Sequence, residues 1–81
     1  MATVAELVPG DLVTLCQDSA VFIGRGEHPV WPRLMLVIWR LGDGWSLDAL
    51  SARQEVGDVT PSTHDERQQR LRAALLGEED R

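Results

Sequence analysis

The chain has a single cysteine, no lysine, no tyrosine and no asparagine, and its longest apolar run covers only residues 34–39. Each shortage closes off a class of protein. One thiol, Cys16, cannot form an internal disulfide, and His28 and His64 stand far apart without the neighbours a zinc site needs. The apolar run is far short of the roughly 20 residues that span a bilayer. The opening residues, Met1-Ala2-Thr3-Val4-Ala5-Glu6, carry neither the basic region nor the apolar stretch of a signal peptide, so the expected location is the cytoplasm. All eight basic residues are arginine, and the absent Lys, Tyr and Asn are the residues with AT-rich codons. The coding therefore points to a GC-rich bacterium or one of its phages.

What is present fits one small globular domain of 81 residues, 43% hydrophobic and 26% charged, which is too apolar for a disordered chain. With no disulfide or metal to staple it, packed strands must hold the fold. The formal net charge of −5 argues against a general nucleic-acid binder, which needs surplus cations to displace counterions from phosphates. Arg25, Arg33 and Arg40 still lie close enough in sequence for a local basic patch.

Thr3 and Glu6 have the spacing of a capping box, and Pro9-Gly10 ends the turn that follows. Strands are expected over residues 11–16 and 20–27, separated by a turn at 17–19, with Gly24 and Gly26 marking a bulge or bend in the second. Pro29 and Pro32 exclude regular structure between them. Residues 34–41 form the strongest strand signal: Leu34, Leu36 and Ile38 share one face, Met35, Val37 and Trp39 the other. Gly42-Asp43-Gly44 is a hairpin turn, residues 45–47 resume as a strand, 48–54 hold a helical turn, and 55–60 make a fifth strand stopped by Pro61. Thr63 and Glu66 form a second capping box opening a helix that Gly77 ends. Its apolar residues, Leu71, Ala74, Leu75 and Leu76, lie in its second half, so it must dock by that stripe, with Leu71 and Leu75 as the expected contacts. Covering the outer face of residues 34–41 is its expected role; entering a groove on another protein is the alternative.

Five short strands followed by a helix point to a small closed sheet. Leu7-Val8-Pro9-Gly10-Asp11-Leu12-Val13 resembles the opening of SH3-like and KOW-type barrels, where a Pro-Gly-Asp turn launches the first strand. The resemblance implies a mainly β fold, a five-stranded SH3-like small barrel with a short C-terminal α-helix. Residues 1–10 would lead in, 11–61 form the barrel, 62–77 the helix and 78–81 a frayed acidic tail. The stretch from His28-Pro29-Val30-Trp31-Pro32 through Trp45-Ser46-Leu47-Asp48-Ala49-Leu50 resembles small uncharacterised proteins of actinobacteria and their phages, a likeness that carries no activity with it.

No catalytic constellation, metal site or cofactor motif is legible. Gly24-Arg25-Gly26 completes neither the dinucleotide nor the P-loop pattern, and no serine, cysteine or histidine sits in a nucleophile context. The best candidate surface is the stiff loop of residues 28–33. There Trp31 is either presented as a binding anchor beside Arg25, His28 and Arg33, or folded back as a lid on the core. Trp39 and Trp45 flank the hairpin turn and are expected to pack as a cross-strand pair, or else to form a stacking platform for bases. The expected function is a non-enzymatic protein-interaction module, possible sites being Arg25, His28, Trp31, Arg33 and Trp45, with a phage or accessory factor acting on a host protein as its setting. A nucleic-acid-associated barrel and a structural subunit pairing through strand edges are the alternatives.

Overall fold

A computed structural model describes residues 2–15, 17–42 and 44–76. Cys16, Asp43, the expected helix stop at Gly77 and the expected tail at 78–81 lie outside the described residues.

A 3-10 turn, η1 (Val4–Glu6), precedes four strands, β1 (Leu12–Leu15), β2 (Asp18–Glu27), β3 (Leu34–Leu41) and β4 (Gly44–Ser51), and a single helix, α1 (His64–Leu76). The strands form an antiparallel sheet in chain order, β1-β2-β3-β4. The fold is thus mainly β with a C-terminal helix. Two sequence expectations change. Residues 48–51 continue β4 in full register with β3, from Val37 opposite Asp48 to Leu34 opposite Ser51, where a helical turn was expected. Local propensity was overridden by an unbroken ladder partner.

The second change concerns the fifth strand. Residues 55–60 make only isolated bridges, Thr3 with Glu55 and Val13 with Val59. Backbone bonds from Thr14 N–H to Asp58 O (3.1 Å) and from Thr60 N–H to Leu12 O (2.8 Å) hold this segment along β1. Gly57 is needed there for space, since any Cβ would collide with the Thr14 carbonyl. Among the described residues β4 has no ladder partner besides β3, so ladder pairing there does not close the sheet.

The Val8–Asp11 turn shows why Pro9-Gly10 stands where it does. Asp11 N–H donates to Val8 O (3.0 Å), with Pro9 and Gly10 as central residues and Gly10 at φ 97°, the geometry of a type II turn. The Asp11 carboxylate, itself buried, accepts the Val8 N–H at 2.8 Å. In β2 the register slips between Phe22 and Gly24, so the bulge expected near Gly24 is present, with Ile23 as the extra residue.

The core is Val4, Leu7, Val13, Ala20, Phe22, Val37, Trp39 and Val56, all nearly sealed from solvent. Phe22 and Trp39 meet edge to face, ring centroids 5.4 Å apart. Trp39 therefore does not pair with Trp45 as the sequence suggested. Their strand positions differ by an even number, but across the two-residue turn Trp39 lies opposite Ser46 and Trp45 opposite Arg40, on the other face.

Helix α1 starts as expected. Thr63 N–H donates to Glu66 Oε1 (2.8 Å) and Glu66 N–H donates to Thr63 Oγ1 (3.2 Å), a complete capping box. Its docking differs from expectation. The docked stripe is Arg67, Arg70, Leu71 and Ala74: Arg70 donates to Gly10 O (3.1 Å) and Ser62 Oγ (2.6 Å), and Arg67 lies 3.9 Å from Asp11. Leu71 is half-buried and Ala74 buried, while Leu75 is exposed. Arginine anchors at the start of the helix choose this rotation, and small Ala74 permits the approach. α1 consequently lies along β2 and the Val8–Asp11 turn, and does not cover the outer face of β3, where Ile38 stays exposed. Among the described residues no helix is long and apolar enough to cross a membrane.

The cap makes stability depend on pH. The backbone N–H of Thr63, then its side chain, then Arg70 and Arg67, hold the Glu66 carboxyl below its usual range. A carboxyl lowered in the folded state stabilises above its unfolded pKa, and that contribution disappears as pH falls through the folded value. Glu66→Gln is therefore expected to lower the thermal midpoint near pH 7 and to lose less than the parent between about pH 5 and pH 3. Parallel acid limbs in melts of the two proteins would count against this role.

Candidate functional site

Two surfaces present groups suited to binding. The first is the loop between β2 and β3. His28 closes its base by donating its backbone N–H to Leu34 O (3.4 Å), and Leu34 N–H donates to Trp31 O (2.9 Å). Inside, His28 Nδ1 accepts the backbone N–H groups of Val30 (3.1 Å) and Trp31 (3.0 Å), which fixes the proton of the neutral ring on Nε2. The imidazole also lies against the Trp31 indole, centroids 5.0 Å apart. With Pro29 and Pro32 limiting the backbone, the loop is pre-formed. Trp31 is 60% exposed, so it is presented outward and is not a lid on the core. Arg33 is exposed on the same loop.

Arg25 is not part of this surface. Its Nη1 donates to the carbonyls of Val4 (3.2 Å), Ala5 (3.0 Å) and Leu7 (3.3 Å) around the end of η1. Its role is to tie β2 to the segment leading into the sheet. Arg25→Met, which keeps the stem and removes the donors, is expected to cost about 1–3 kcal/mol. Urea denaturation followed by circular dichroism measures this, and a loss below about 0.5 kcal/mol would show that water replaces the guanidinium without penalty.

The second surface is the outward face of β3 and β4. Ladder pairing sets Leu34 opposite Ser51, Leu36 opposite Ala49, Ile38 opposite Leu47 and Arg40 opposite Trp45. Trp45 is 49% and Leu47 63% exposed. The Arg40 guanidinium sits 4.9 Å from the Trp45 ring centroid, a cation–π contact that holds the indole in place. On β2, Gly24 and Gly26 lie opposite Ile38 and Leu36, and a Cβ on either would meet nothing within 4 Å. The glycines leave a flat shelf beside the apolar row. None of these outward positions on β3 and β4 is acidic, in a chain with 13 acidic residues.

Of the sequence-predicted residues, the structure thus brings together His28 and Trp31, with Arg33 on the same loop. Trp45 belongs to the other end of the sheet, six ladder steps from the Leu34–Ser51 pair. Arg25 is turned away from both.

No family model, curated protein or solved structure matches the chain.

Leu36, Ile38 and Leu47 were not among the sequence candidates. Their signal is a strand apolar on both faces, whose outer side the sequence expects the helix to cover. The chain offers no way to foresee that two arginines would draw that helix elsewhere.

Proposed function

We propose that this chain is a non-enzymatic protein-interaction module built on an SH3-like fold. Supporting the fold are the four-strand meander, the bulged second strand and the return of residues 58–60 along β1. The function rests on one observation: the β3–β4 face keeps Ile38, Trp45 and Leu47 in solvent with no acidic residue among them. An apolar row on a strongly acidic small protein costs solubility unless a partner covers it. Trp45, pinned by Arg40, supplies the kind of rigid aromatic–arginine pair that dominates binding energies. Trp31 adds a second anchor at the far end. A cytoplasmic accessory factor of a GC-rich bacterium or its phage, acting on a host protein, is the setting that composition favours.

A nucleic-acid surface is the second reading, favoured by the Arg40–Trp45 pair as a stacking platform. It has less support, because Nη1 of Arg25 is held by backbone carbonyls away from the Trp45 surface and the net charge is −5.

Leu47→Ser separates folding from binding. On an exposed position of β4 it should change stability by no more than about 1 kcal/mol, whereas losing a leucine buried at an interface should weaken partner binding at least tenfold, about 1.4 kcal/mol. Affinity capture from an actinobacterial lysate, with recovered partners then titrated against both proteins, gives the answer. Equal recovery by the parent, Leu47→Ser and Trp31→Ala would end this reading.

A further inference from the structure

The gap in the sheet is a second binding feature, distinct from the apolar outer face. β4 is an edge strand of eight residues, Gly44–Ser51, paired with β3 alone. Among the described residues, positions 44–50 make no backbone hydrogen bond outside that ladder. Proteins usually guard such an edge with lysine, proline or a bulge. The sequence of β4 contains no basic residue and no proline, and its register with β3 is unbroken. Its one charge, Asp48, lies on the core side opposite Val37, an inward-pointing charge that disfavours apolar or acidic strands, so the edge is a template for a strand that brings a cation.

Beside it, on the core side, lies a cleft of about 390 Å³. Trp39, Leu41 and Leu50 give it an apolar floor, and Asp18, Asp48 and Glu55 rim it. These three carboxylates are exposed, and no ion pair among the described residues involves them. Trp39 also carries the one buried side-chain polar atom without a hydrogen-bond partner among the described residues, its indole Nε1–H. A strand added to β4 would send alternate side chains to this side of the sheet and the others to the apolar outer side.

We infer that the β4 edge and its cleft receive an extended segment of a partner protein with arginine or lysine at alternate positions and apolar residues between them. The backbone would bond to β4, the cations would meet Asp18, Asp48 and Glu55, and the apolar side chains would extend the row at Leu47. Charge decides against a second copy as occupant. In the face-matched antiparallel registers that overlap most of the strand, β4–β4 pairing sets Asp48 either opposite its counterpart or diagonal to it, about 7–8 Å away, with no cation on the strand to separate them. The inference rests on the protein-interaction reading and adds the chemistry of the partner.

The test uses three eight-residue peptides, acetylated and amidated. One alternates valine and arginine, one alternates valine and glutamate, and the third is the valine–arginine peptide N-methylated at alternate residues on the β4-facing edge. Each is titrated into the full chain and followed by amide chemical shifts. The expected result is that the valine–arginine peptide shifts amides of β4, Asp18 and Glu55, while the other two shift nothing at the same concentration. Asp48→Asn should weaken the first peptide about fivefold, an exposed ion pair's worth, and Asp65→Asn on the helix should leave it unchanged. Equal binding by the valine–glutamate or the N-methylated peptide would overturn the inference, as would shifts confined to α1. A dimer joined through β4 in the free protein would do so too. If the valine–arginine peptide fails while Leu47→Ser still loses a captured partner, the edge inference falls and the outer-face reading stands.

Discussion

Trp39→Ala is expected to remove about 3–5 kcal/mol of stability, the usual cost of truncating a buried tryptophan. A domain of this length holds only about 4–12 kcal/mol in total, so much of the folded population would be lost on mild heating. The magnitude follows from position. Trp39 is fully buried, is the largest side chain in the core, and supplies the partner ring for Phe22. The core neighbours best placed to fill the space, Phe22 across the ladder and Val37 two residues along β3, are held in register by the sheet. At a urea slope of about 1 kcal/mol/M the midpoint would fall by roughly 3 M or more. Circular dichroism is the suitable readout, since the substitution removes a fluorophore.

Trp39→Phe should behave quite differently. It creates a smaller void but also deletes the indole N–H that has no acceptor, a group whose burial costs about 1–3 kcal/mol. The two effects oppose each other, and the net change is expected to lie within about 1.5 kcal/mol. If the phenylalanine variant were as unstable as the alanine variant, the indole N–H would have to be satisfied in solution.

Gly10→Val carries the second large effect. Gly10 has φ 97°, which a β-branched residue adopts only under strain, and a Cβ there would stand 2.7 Å from the Cβ of Arg67. Neither cost can be relieved cheaply. Relaxing the backbone breaks the turn that lets Asp11 accept from Val8, and moving the helix breaks the bond from Arg70 to Gly10 O. About 2–5 kcal/mol is expected, from strain and overpacking together. The loss should fall unevenly: amide exchange ought to accelerate in α1 before it does in β2 and β3. Gly26→Val is the matched control, since a Cβ there meets nothing within 4 Å and points onto the sheet's outer shelf. It should stay within about 0.5 kcal/mol of the parent. Equal destabilisation by the two valines would mean that α1 does not bear on Gly10.

The parts of the fold that proved legible are those fixed by neighbours in sequence. The Thr63–Glu66 box, the Pro9-Gly10 turn and the bulge near Gly24 each depend on a few adjacent residues whose chemistry allows one solution. The strand over residues 34–41 is visible because an unbroken apolar run, 34–39, fills both of its faces. What escaped depends on distant partners. Residues 48–51 read as a turn until β3 supplies a ladder, and the placement of α1 hangs on Arg70 reaching the Gly10 carbonyl sixty positions away. The site was legible to the same extent. A loop stiffened by Pro29 and Pro32 marks Trp31 as either an anchor or a lid, and only the fold decides for exposure; likewise no spacing rule signals that Nη1 of Arg25 bonds carbonyls some twenty residues earlier.

The way the sheet is bordered also bears on how the chain is made. Val4 and Ala5 give their amide hydrogens to Gln54 and Ala52, and Val56 gives its own to Ala2, so each of these bonds joins segments about fifty residues apart. The hairpins of β2, β3 and β4 need only their immediate neighbours and can form while synthesis continues. Residues 2–5 must wait for these partners until residues 52–56 have been added and released. During that interval Val4 and Leu7, later sealed in the interior, are available to anything that meets the nascent chain.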